Sequence, residues 1–140
     1  MSSLATVAGS IATAIAGLSG TPTRVGSDRV TNLEGLAVGT TKYQLRVDHL
    51  TELETGNAQV TYKAATVTVA MHHELASASA ERTYTEGVML THQNSLMSPS
   101  WWRAISGVYE VVEGPTLQSE AERVGNTISY EMAVSISFTG

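Results

Sequence analysis

From Thr127 to Phe138 the chain reads Thr-Ile-Ser-Tyr-Glu-Met-Ala-Val-Ser-Ile-Ser-Phe. Every even position is apolar: Ile128, Tyr130, Met132, Val134, Ile136 and Phe138. The odd positions are Thr127, Ser129, Glu131, Ala133, Ser135 and Ser137, all polar or small. Successive strand side chains point to opposite faces, so this period of two demands one buried face and one wetter face. At ~3.3 Å per residue the strand spans roughly 40 Å, long for a small domain. A strand of that length needs partners along its whole edge and a layer over its apolar side. The expectation is therefore an antiparallel sheet with helices packed on the face of the even residues.

The upstream chain supplies those parts. Leu4, Val7, Ala8, Ile11, Ile15 and Leu18 recur at helical spacing, with Thr6, Ser10, Thr13 and Gly17 opposite. Ser2 or Ser3 is placed to cap this helix, and Gly20 with Pro22 to end it. Its outer face carries no charge, and a face of Ser, Thr, Gly and Ala lets another backbone come close. The segment lacks the basic start of a signal peptide and is too short and polar to span a bilayer, so a soluble protein is expected. Residues 20–41 read as a Gly-rich loop with short strands near Thr23–Val25 and Leu36–Val38.

Lys42–Leu53 alternates again, with Tyr43, Leu45, Val47 and His49 on one face and Lys42, Gln44, Arg46 and Asp48 on the other. Thr55-Gly56-Asn57 is a turn signal, and Gln59–His72 is the returning strand of a long hairpin. Its apolar phase slips between Tyr62 and Val67, which predicts a bulge at Ala64-Ala65. A second helix is expected over about 79–97, capped by Ser77 or Ser79, with Tyr84, Val88, His92 and Leu96 on one face. Ser98-Pro99-Ser100 closes it, and Trp101-Trp102 follows, either in an extended segment with one ring inward and the other exposed, or with both rings packed by an irregular turn. Gly107–Glu113 reads as a strand broken by Gly114-Pro115, and Leu117–Gly125 as a polar, acidic link. The fold class is α+β: an antiparallel β-sheet with a long β-hairpin, packed against two α-helices in a single domain over residues 1–140.

Chemistry-bearing patterns are sparse. His72-His73-Glu74 has adjacent histidines on a strand end, which point to opposite faces and do not make a zinc site from one side. His92 falls on the apolar side of its helix with no nucleophile patterned beside it. Gly35-x-x-x-Gly39 lacks the Lys and Ser/Thr of a phosphate loop. Glu52, Glu54, Glu110 and Glu113 are acidic residues at strand ends, ordinarily just solvated. No catalytic residue, bound metal or cofactor is expected. Cysteine is absent, net charge is −5 and the eight basic residues are scattered, which argues against phosphate-backbone binding. Charged residues are only 15% of the chain against a usual ~25%, as in a domain whose surface is covered by copies of itself or by partners.

In order of elements the chain resembles the tail terminator proteins of long-tailed, lambda-like phages: an amphipathic helix, a long hairpin, a second helix and a terminal alternating strand. In residues the likeness is carried by Val67–Leu75 and by Ile128-Ser-Tyr-Glu-Met132. The resemblance implies a structural virion protein, not an enzyme. It would form a homohexameric ring on the last ring of the tail tube, end tube polymerisation, and present a surface to the head-side connector or stopper. Its partners would be its own copies, the tail tube protein and that connector. DNA would pass through the ring without sequence-specific binding, no membrane would be involved, and assembly would take place in the host cytoplasm. Another neck or tail-completion protein, a tube subunit, or a small ligand-binding domain or enzyme using His92 and the tryptophans are the alternatives. On the terminator reading, the residues expected at interfaces are Arg24, Asp28 and Arg29 in the first loop and Arg46 and Asp48 on the hairpin. Trp101 and Trp102, with Glu120, Glu122 and Arg123 in the late link, complete the set.

Overall fold

The computed structural model describes residues 4–18, 20, 22–24, 39–53 and 62–139. The elements run α1 (Leu4–Ala16), β1 (Thr23–Arg24), β2 (Thr41–Leu53), β3 (Tyr62–Glu74), α2 (Glu81–Tyr84), a π-helical segment (Thr85–Met89), α3 (Leu90–Leu96), α4 (Pro99–Arg103), β4 (Val108–Val124) and β5 (Thr127–Thr139). The five strands form one sheet in the order β1-β2-β3-β5-β4, antiparallel except for the short parallel pairing of β1 with β2. The fold is α+β, with the helices on one face of a mostly antiparallel sheet. The expected turn at Thr55-Gly56-Asn57, the expected strand at Leu36–Val38, Val60 and the His49 and Tyr62 side chains lie outside the described residues.

The terminal strand sits inside the sheet, between β3 and β4. Its even residues Ile128, Tyr130, Met132, Val134, Ile136 and Phe138 are all buried. Their partners in register are buried too: Tyr43, Met71 and Tyr130 form one row, and Leu45, Val69 and Met132 the next. Val7, Ile11 and Ile15 of α1, Leu96, Trp102 and Ile105 close over those rows in one cluster. Burying such side chains stabilises by roughly 1.5–3 kcal/mol each before chain entropy is counted, which is why the period of two is so strictly kept. The Tyr43 hydroxyl donates to the Ala12 carbonyl at 3.4 Å and ties α1 to the sheet.

The helical run over α2 and α3 carries Tyr84, His92 and Leu96 inward, with Val88 half-buried. Steps of four residues drift by about 40° each on a 3.6-residue helix. The wider π turn between Thr85 and Met89 takes up part of that drift, so the residues stay on the core side. Ser77 extends before the run but makes no side-chain cap; its hydroxyl bonds Ser79 at 2.8 Å instead.

Three local expectations are corrected. The β2–β3 irregularity falls between His49 and Thr51 on β2, while β3 pairs with β5 without any shift through Ala64 and Ala65. The extra residue therefore sits on the strand opposite the alanines. Trp101 and Trp102 lie on a short helix, α4, started by Pro99 at its first turn, and not on an extended segment. Pro99 fits there because its missing N–H is one that a helix start leaves unpaired anyway. Finally, Gly114-Pro115 does not end a strand, and 117–125 is not a link: β4 is continuous from Val108 to Val124. It manages this as an edge strand, with five register shifts against β5, one of them between Glu113 and Thr116. A proline is tolerated at such a bulge on an edge because no neighbour there needs its N–H.

Candidate functional site

The residues expected at interfaces do not gather in one place. Arg24 lies on β1 with its Nη2 3.5 Å from the Leu45 carbonyl. Arg46 and Asp48 share the outer face of β2 and pair with each other, Nε to Oδ2 at 2.6 Å, both about half exposed. Asp28 and Arg29 lie outside the described residues. Glu120 and Glu122 are exposed on β4. Arg123 points the other way, to the helix side. Its Nη1 donates to Glu81 at 3.0 Å and its Nε to the Gly125 carbonyl at 2.7 Å, so it clasps the β4–β5 turn to the start of α2. Gly125 has a φ of +63°, the left-handed backbone that this tight turn requires.

The two tryptophans divide their roles. Trp102 is fully buried and its Nε1–H donates to the Leu96 carbonyl at 2.7 Å, satisfying an acceptor left over at the end of α3. It is a core residue and presents nothing to a partner. Trp101 packs edge-on against it, with ring centroids 5.0 Å apart, and is only half-buried. Trp101 lines an open groove of about 410 Å³ with Ser10, Thr13 and Ala14 of α1 and with Ala104, Ile105 and Ser106. Among the described side chains of α1 the exposed positions are Ala5, Thr6, Gly9, Thr13 and Ala16, followed by the exposed Gly17 just past its end, and none is charged. A Cβ placed on Gly9 would meet nothing within 4 Å, so this small-residue face is open for close approach.

His72 and His73 are held on opposite faces of the sheet. His72 lies on the outer face, where its Nε2–H donates to Gln44 Oε1 at 3.3 Å and its Nδ1 accepts from the Ser129 hydroxyl at 2.8 Å. His73 lies on the inner face, bonded through Nδ1 to Thr41 Oγ1 at 2.9 Å and stacked on the Tyr84 ring at 3.8 Å. Adjacent strand residues point oppositely, so the two rings cannot meet around one ion. Burial lowers the pKa of His72. Burial, then the neighbouring His92, lower that of His73, against a smaller upward pull from Glu74. His92 is wholly buried. Burial also holds the Tyr84 and Tyr130 phenols well above their ordinary value. Neither hydroxyl has a hydrogen-bond partner among the described residues. Among those residues no group of three or more His, Asp or Glu is gathered as a metal centre requires.

The feature that residue-by-residue reading missed is β4. From Thr116 to Val124 every residue is exposed, including Leu117 at 42% and Val124 at 71%. Further back, Tyr109 and Val112 are exposed as well. Polar residues at both parities look the same in a solvated link and in an edge strand wet on both faces, so alternation gave no signal. The Arg103 guanidinium, 2.6 Å from Glu110, ties α4 to this strand and holds the Glu110 carboxyl below its usual pKa. No protein-family model and no curated protein matches the chain. No helix of the described residues is long and apolar enough to cross a membrane.

Proposed function

We propose that the chain is a structural subunit of a phage tail, a tail terminator whose copies form a ring, most economically of six. The ring caps the tail tube, stops its growth and joins the head-side connector or stopper. The observation that carries this reading is β4, a 17-residue edge strand whose second half, from Thr116 to Val124, is made of exposed residues. Bulges, Pro115 and the glutamates blunt this edge against indiscriminate strand pairing, while the exposed Tyr109, Val112, Leu117 and Val124 offer apolar area that another chain can cover. The uncharged face of α1 beside the Trp101 groove supports the same reading, as does the low charge of the chain. In this reading the subunit performs no catalysis and holds no cofactor, and DNA passes through the ring without sequence-specific contacts. The ligand-binding alternative has less to stand on, because His92 and Trp102 are core residues, which leaves it only Trp101 at the open groove.

Deletion of the protein from an assembling particle tests the proposal. Tails of uncontrolled length that fail to join heads are the expected result. Normal tails already joined to heads would overturn it.

A further inference from the structure

We infer that the hydroxyls of Tyr84 and Tyr130 hold one internal water molecule between them, at the seam where the helical run over α2 and α3 sits on the sheet. The site lies in the interior of a single copy and is independent of how copies assemble.

The seam is built from ringed side chains that can hydrogen-bond. His73 lies on the inner face of β3, where it pairs with Ile128 of β5. Tyr130 follows Ile128 by two residues and so faces the same way, diagonal to His73 across the strand pair. Tyr84, the last residue of α2, stacks its ring on His73, with centroids 3.8 Å apart and the planes 10° from parallel. It also packs with Leu75 and Ile128 in a small cluster separate from the main core. Met89 packs against this cluster and against the main one that holds Tyr130, so the two tyrosines belong to adjoining parts of one seam. The phenols are near enough to feel each other's charge. Burial holds the Tyr130 phenol above its ordinary value, and the neighbouring Tyr84 adds to it. The contrast is with α1, where Val7, Ile11 and Ile15 close on the sheet in apolar contact.

Both hydroxyl oxygens are sealed from bulk solvent, on residues only 4% and 2% exposed. Neither finds a hydrogen-bond partner among the described residues. A buried hydroxyl left without a partner is costly, and native interiors nearly always supply one, from the protein or from an ordered water. Here two such hydroxyls share one seam, so a single molecule can serve both. Water has the right chemistry for it. Burial keeps both phenols neutral, and a neutral phenol both donates and accepts. A buried water needs at least two polar partners of that kind, and two are present. A cavity lined only by groups such as those under α1 would stay dry. The helical run over α2 and α3 is thus seated on the sheet through a bridged polar contact, and α1 through an apolar one.

Phenylalanine keeps the ring and removes only the hydroxyl, so Tyr84→Phe, Tyr130→Phe and the double variant probe the site with its packing left in place. Magnetic relaxation dispersion of the solvent oxygen counts water molecules held for longer than the protein tumbles. Each single variant should lose one such molecule relative to the parent, and the double variant should lose the same one and no more. Melting temperatures should follow that pattern. Each single variant melts below the parent, because the remaining hydroxyl loses its bridge. The double variant melts no lower than the less stable single one, because no hydroxyl is then left unpaired. Single variants that melt at or above the parent would mean dry hydroxyls and overturn the inference. Lower melting with no loss of held water would assign the partner to a protein group and overturn it as well. A double variant that loses two molecules, with additive losses of stability, would give each hydroxyl its own water and sink the shared bridge.

Discussion

β4 and β5 are neighbours of nearly equal reach, joined by one turn and paired along their length, yet they obey different rules. β5 alternates without a fault, and its even residues are all buried. β4 carries five register shifts, a Gly-Pro in mid-strand and exposed side chains from Thr116 onward. The difference is position. β5 has a strand on either side and helices over one face, so each of its residues is constrained by three neighbours. β4 has a strand on one side only. What an edge strand needs from its sequence is backbone pairing to β5 and compatibility with whatever meets its other edge. The teaching is that core strands record the fold in their pattern, and edge strands record the surface.

Charge placement gives the sharpest contrast. Val134→Asp puts an unpaired carboxylate between Val67 and the helices, and a loss of at least ~4 kcal/mol is expected, enough to unfold a domain of ordinary stability. If V134D melted with the parent, the two faces would be assigned the wrong way round. Trp102→Ala comes next, at about 3–5 kcal/mol for the lost ring, with the Leu96 carbonyl left unpaired as well. Trp101→Ala, tested beside it, should cost visibly less, because that ring is half-exposed; equal losses in chemical denaturation would break the division between them.

The histidine pair predicts a pH dependence. The folded state lowers the pKa of His72 and His73 from an ordinary 6.5. Below that ordinary value the unfolded chain binds more protons than the folded one, so stability rises with pH there. The contribution is complete above about pH 6.5 and is lost as the pH falls beneath it towards the folded values. Denaturation midpoints taken between pH 8 and pH 5 should therefore fall on the acid side, and the H72Q/H73Q double variant should flatten the profile. A parent profile that is already flat would contradict the burial argument.

Smaller effects belong to the edge. Glu81→Ala removes the Arg123 bridge, a partly exposed pair, and should cost under ~1 kcal/mol in thermal melting. Leu117→Asp should change monomer stability by no more than about 0.5 kcal/mol, since the side chain is already exposed. Set beside V134D, a large loss in L117D would show that β4 belongs to the core after all.

The sequence determined the strands and helices that face the core: Leu4–Ala16, Lys42–Leu53, the helical run to Leu96 and the terminal strand were all legible. They were legible because burial acts on each residue with the period of the backbone, two in a strand and 3.6 in a helix, and leaves that period in the chain. Tertiary structure alone decided the rest. Pro99 and the two tryptophans became a helix because the Leu96 carbonyl and the core offered Trp102 a donor's partner and a cavity to fill. Gly114-Pro115 stayed within a strand because β4 fell at an edge, where a missing N–H costs nothing and bulges absorb the mismatch. Tyr84 and Tyr130 came into one seam because β3 and β5 pair beneath them and set His73 diagonal to Tyr130, which no local pattern encodes. Local sequence fixes which way a side chain faces, and only the assembled sheet fixes what it faces.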